Sequence, residues 1–167
     1  MEFIQHTLNW TKGEILEASI MTAVGLIILT GGILFWMYGN TPNAKAMAWP
    51  LIVIALLPLA AGPWGIYTNR QRAVEYQAQW EVNPTEFVQS EKARVEGFEA
   101  IFKITFPSAL ILVIAGAVMY YLVGGPNLQA IALGMVLLGL MTYFIDHFAQ
   151  ERGLMYLEHI DAELARI

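Results

Sequence analysis

The stretch NRQRAVEYQAQWEVNPTEFVQSEKARVEGFEAIFK, residues 69–103, decides the fold, because it is polar and a long apolar block lies on each side of it. It holds five of the nine basic residues, Arg70, Arg72, Lys92, Arg94 and Lys103. It also holds Glu75, Glu81, Glu86, Glu91, Glu96 and Glu99. Asn83-Pro84 is its strongest breaker, since a residue before proline is pushed out of the helical region and proline suits a first helical turn. One helix is therefore expected to reach about residue 81, and a second to start near Pro84 or Thr85. On that second helix Glu91, Val95, Phe98 and Phe102 recur at helical spacing and form an inward face.

Outward from this segment the charges stop. No Asp, Glu, Lys or Arg occurs from residue 18 to 44, or from 104 to 145. The second run as one helix would be about 63 Å long, twice the roughly 30 Å hydrocarbon core of a bilayer. Gly124-Gly125-Pro126-Asn127 splits it, as Gly39-Asn40-Thr41-Pro42-Asn43 splits the first block. The expected fold is an all-α integral membrane protein of four transmembrane helices in two hairpins, at residues 19–38, 47–68, 105–123 and 128–145. Residues 69–104 form a cytoplasmic helical segment and 146–167 a cytoplasmic C-terminal helix, all within one domain, 1–167. Residues 1–13 read as a short interfacial helix with Trp10 at headgroup depth. Pro58 and Pro63 sit inside the second span and predict a kink there.

Composition agrees. Hydrophobic residues make up 57% and charged residues 14% of the 167, where a soluble domain has about a quarter charged; mean hydropathy is +0.52. Net charge is −5 with no basic patch, which argues against nucleic acid as a partner. No cysteine is present, so disulfides, thiolate metal sites and cysteine nucleophiles are excluded. The two short turns together carry one charge, Lys45. The other eight basic residues lie on the opposite side, which the positive-inside rule makes cytoplasmic. Both termini are thus expected inside the plasma (inner) membrane.

The two blocks share a weak repeat. Glu14-Ile15-Leu16-Glu17-Ala18 precedes the first hairpin and Glu96-Gly97-Phe98-Glu99-Ala100 the second. Arg72-Ala73-Val74-Glu75-Tyr76 follows the first and Arg152-Gly153-Leu154-Met155-Tyr156 the second. This predicts a 2+2 pseudo-repeat with its axis along the membrane normal.

Under that repeat Glu14, Glu17, Glu96 and Glu99 come to one level. Four carboxylates in a helix bundle can hold a divalent metal (Mn, Fe, Mg or Ca), with His147 and Glu151 completing the set. Ferritin-like carboxylate proteins use a Glu-x-x-His pair for this, and the chain has none. Arg72 and Arg152 offer these carboxylates ion pairs instead, an arrangement needing no function. Helical phase puts Trp10, Glu14, Glu17 and Met21 on one face of the first helix. It puts His147, Glu151 and Glu158 opposite the Gly153–Tyr156–Ile160 stripe, facing water. His6, His147 and His159 show no ligand spacing among themselves. The spans carry no Asp, Glu, Lys, Arg or His, which disfavours an active transporter. Thr22, Thr30, Ser108, Asn127 and Thr142 are the residues that would line an oligomeric pore.

Two functional readings follow. The first is a non-enzymatic membrane protein, a homo-oligomer or part of a larger membrane complex, acting as an ion-pathway or assembly component through its carboxylate-rich cytoplasmic face. The alternative is a membrane-bound metal-dependent enzyme built on the carboxylate cluster.

Overall fold

The structure, a computed structural model, describes residues 2–167 as four long α-helices, and among these residues there is no strand. They are α1 (Phe3–Tyr38), α2 (Pro42–Val82), α3 (Pro84–Leu122) and α4 (Pro126–Leu164). At 1.5 Å per residue they are about 54 to 62 Å long, well beyond what a bilayer core requires. All four are long and apolar enough to cross a membrane.

The breaks fall where local chemistry puts them. Thr41 caps α2 by accepting from the Ala44 N–H at 3.2 Å, with Pro42 in the first turn. Asn83 separates α2 from α3, and its side chain accepts from Glu86 N at 3.2 Å while donating to Glu86 Oε2 at 3.1 Å. That reciprocal arrangement satisfies an otherwise orphaned helix N–H, as a capping box does. Gly125 has φ +98°, a left-handed conformation that only glycine adopts cheaply, and Pro126 then opens α4.

One expectation needs correction. Residues 3–13 are not a separate interfacial helix: α1 runs unbroken through Gly13 to Tyr38, and Arg152 of α4 packs its side chain against that glycine. The stretch 47–68 expected as the second span lies within a helix that starts at Pro42, and α2 stays helical past Pro50, Pro58 and Pro63.

The most extensive packing joins α1 to α2 and α3 to α4; α4 also touches α1 and α2. Glycines set the closest approaches. A Cβ added at Gly62 of α2 would lie 2.7 Å from the Ala18 carbonyl of α1, and one at Gly139 of α4 would lie 2.7 Å from the Ala109 carbonyl of α3. Small residues at these points let backbones touch, as close packing in lipid requires. Only 11–28% of each apolar window is buried within the chain. Large side chains such as Ile27, Leu57, Ile104 and Ile111 stay exposed, which suits hydrocarbon surroundings.

The core lies elsewhere, where the polar ends of the four helices meet. Phe3 and Ile4 of α1, Tyr76 of α2, Phe87, Val88 and Val95 of α3, and Tyr156 and Ile160 of α4 form one buried cluster. Its rings pack in contact: Phe3 stacks on Tyr156 at 6.0 Å, and Phe87 meets Tyr76 edge-on at 5.5 Å. The apolar halves therefore end in a short four-helix bundle with its own interior.

Candidate functional site: a buried carboxylate network and the ion cluster beneath it

Glu91 sits inside that bundle with only 2% of its surface exposed. Burying a carboxylate is costly unless it is paired and hydrogen-bonded. Here both oxygens are used. Arg94, one turn along α3, donates from Nε to Oε1 at 2.8 Å and from Nη2 to Oε2 at 2.6 Å, a two-pronged charge-assisted contact. Tyr156 of α4 donates to Oε2 at 3.0 Å and is hydrogen-bonded to Thr7 Oγ1 of α1 at 2.8 Å. Thr11, also buried, returns its hydroxyl to the Thr7 carbonyl at 2.9 Å. Three helices are thus tied through one carboxylate.

Burial, and then the Glu91 charge, push the Tyr156 phenol well above its usual range, so it remains a donor. The same causes raise Tyr76 to about 12, although its buried hydroxyl finds no hydrogen-bond partner among the described residues. Burial works against the Arg94 charge, but the bonds and charge of Glu91 outweigh it and raise its pKa. The guanidinium carbon also lies 4.5 Å from the centre of the Trp10 ring, in the range of a cation–π contact.

A second cluster lies nearer the apolar halves. Arg152 of α4 donates from Nη2 to Glu14 Oε1 at 3.0 Å and to Glu17 Oε2, both on α1. The three side chains are 17–26% exposed. Glu99 accepts from Gln150 Nε2 at 3.1 Å. Between the two clusters lies a cavity of about 50 Å³, bordered by Trp10, Glu14, Glu99 and Phe102. Trp10 Nε1 and Glu99 Oε1 are buried there without partners among the described residues. That space holds a few water molecules at most, taking about 10–15 Å³ of such volume for each.

The sequence-derived site residues divide accordingly. Glu14 and Glu17 point inward together and meet Arg152. Glu96 is turned to solvent, 3.8 Å from Lys92, which itself bonds Asp161 at 2.7 Å. His147 and Glu151 pair with each other at 3.7 Å on the exposed side of α4, as helical phase indicated. Arg72 makes no ion pair among the described residues. So the carboxylates do not converge on one point, and among the described residues no three His, Asp or Glu side chains are placed to hold a metal ion.

Sequence reasoning placed Glu91 and Tyr156 on inward faces but did not join them. It missed Arg94, Thr7 and Thr11; the Glu91/Arg94 spacing on an apolar face was the available signal. His6 of α1 and His159 of α4 stack ring on ring with centroids 3.8 Å apart, a contact that spacing along the chain does not show.

No family model matches the chain, and neither curated proteins nor solved structures give a match.

Proposed function

We propose that this chain is a non-enzymatic multi-pass protein of the plasma membrane, an assembly component whose working part is the polar bundle at the cytoplasmic ends of its helices. In this reading two hairpins cross the bilayer with both termini inside, and residues near 19–38, 47–68, 105–123 and 128–145 lie within it. The observation that carries it is the packed interior built around Glu91. A segment that served only as a linker between spans would not need an aromatic core and a fully used buried carboxylate. Such a bundle is a rigid platform, and rigidity lowers the cost of binding a partner or a second copy.

An ion pathway receives less support. Thr22, Thr30 and Ser108 return their hydroxyls to carbonyls of their own helices, at 2.7–2.8 Å, and so need no pore water. The inward carboxylates Glu14 and Glu17 are held by Arg152. A metal-dependent enzyme would need His147, Glu151 and Glu96 to leave their present positions and join Glu14, Glu17 and Glu99.

The test is purification in nanodiscs with mass measurement, co-purifying chains identified, and liposome flux and bound metal measured on the same sample. A particle heavier than one chain, without flux and without a stoichiometric metal, is the expected result. A lone monomer that conducts ions, or one that carries an equivalent of Mn or Fe lost in Glu14→Ala/Glu99→Ala, overturns it.

A further inference from the structure

The helices α1 and α4 meet in the polar bundle, through Thr7–Tyr156, Trp10–Tyr156 and the Gly13–Arg152 contact. Beyond that point a groove of about 540 Å³ opens between their apolar halves, a volume within the range of small-molecule sites. Its walls include Leu16, Ile20, Met21, Met141, Phe144 and Phe148. Leu16, Ile20, Phe144 and Phe148 are 55–63% exposed, so the groove is open sideways. Methionines on both walls let it adapt to a chain of variable shape. At its polar end the lining changes abruptly to Glu17 and Arg152.

We infer that this groove holds one acyl chain of a membrane phospholipid whose headgroup carries a primary amine. The inference rests on the membrane-spanning reading given above. Charge decides the headgroup. Glu17 and Arg152 line the end of the groove with one charge of each sign, and Glu14 draws on the same guanidinium from outside that lining. A purely anionic headgroup is attracted by Arg152 alone and is set against the Glu17 carboxylate. A zwitterionic headgroup fits both, with its ammonium on Glu17 and its phosphate turned toward Arg152. A primary ammonium donates hydrogen bonds to a carboxylate, which a quaternary one cannot, and this favours phosphatidylethanolamine over phosphatidylcholine.

The experiment is native mass spectrometry of the full chain released from nanodiscs containing equal parts phosphatidylethanolamine, phosphatidylcholine and phosphatidylglycerol. One retained phosphatidylethanolamine is expected, favoured over phosphatidylglycerol by about tenfold, which corresponds to roughly 1.4 kcal/mol. Glu17→Gln should erase that preference while leaving helical content unchanged. Ile20→Trp, which fills the groove without touching the charges, should reduce retention of all three lipids. Equal retention of the three lipids overturns the inference, as does a preference that survives Glu17→Gln. A doubled mass with no lipid overturns it as well, because a second chain would then cover the groove. Failure of the membrane reading is seen separately, as release of the protein from membranes by alkaline carbonate before any lipid is measured.

Discussion

Tyr156 of α4 and Glu91 of α3, 65 positions apart, are joined by a 3.0 Å hydrogen bond inside the polar bundle. The bond works because Arg94 has already neutralised Glu91 from within the same helix. Tyr156 then brings the carboxylate to Thr7, so α1, α3 and α4 share one buried polar node.

Removing one member of that node should be costly. Glu91→Gln leaves the Arg94 charge without its counterion, and breaking a buried pair in this way costs about 3–5 kcal/mol. Tyr156→Phe keeps the stacking on Phe3 and Trp10 and should cost about 1–3 kcal/mol through the carboxylate's lost donor. The double variant Glu91→Met/Arg94→Leu should lose less than Glu91→Gln, because it strands no charge. Thermal unfolding in a single detergent, followed by circular dichroism, ranks the three.

The two arginines of the repeat should behave differently. Arg152→Ala unties Glu14 and Glu17 from α4 and should destabilise by about 1–2 kcal/mol, a figure reduced for partial solvent screening. Arg72→Ala should leave the unfolding midpoint unchanged, since Arg72 holds no carboxylate. Equal effects of the two substitutions in the same melt would mean that the pairing is symmetric after all.

Helix contact through glycine can be tested on both pairs. Gly62→Leu drives a side chain into the Ala18 carbonyl, and Gly139→Leu does the same at Ala109. Overpacking of this kind costs about 1–3 kcal/mol or more. A Cβ at Gly97 meets nothing within 4 Å among the described residues, so Gly97→Leu serves as the control. Yield of monodisperse protein by size exclusion should fall for the first two substitutions only.

Acid should loosen the α1–α4 contact. Burial, and then the charge of His159, lower the His6 pKa below its ordinary value of 6.5, with Glu163 opposing. In the window just below that value the unfolded chain binds more protons than the folded one. The contribution is complete above about pH 6.5 and declines as pH falls toward the lowered value. Unfolding midpoints measured from pH 8 to pH 5 should drop more for the wild type than for His6→Gln. Parallel curves would show that the stacked pair has no part in it.

The sequence was more informative about breaks and spans than about contacts between helices. Asn83-Pro84 and Gly125-Pro126 carry their own turn chemistry, so they are readable without a partner. Apolar length is equally local, and it marks α1 to α4 as long enough to span. The interior of the polar bundle depends on which helix faces which. Phase alone turned Glu91 and Tyr156 inward, but only packing brings Thr7 between them and His159 onto His6. The repeat does not extend to the ion pairs. Arg72 and Arg152 stand in equivalent motifs, yet only Arg152 has the small residue Gly13 opposite it, giving its side chain room to reach Glu14 and Glu17.

Everything proposed for the polar bundle assumes that it lies inside the cell while the two short turns lie outside. The chain has no native cysteine, so single cysteines at Asn40, Asn127 and Glu86 can each be read without background by a membrane-impermeant maleimide. In intact cells Asn40→Cys and Asn127→Cys should label, and Glu86→Cys should label only after permeabilisation. Labelling of Glu86→Cys in intact cells, with the two turns protected, would contradict the account.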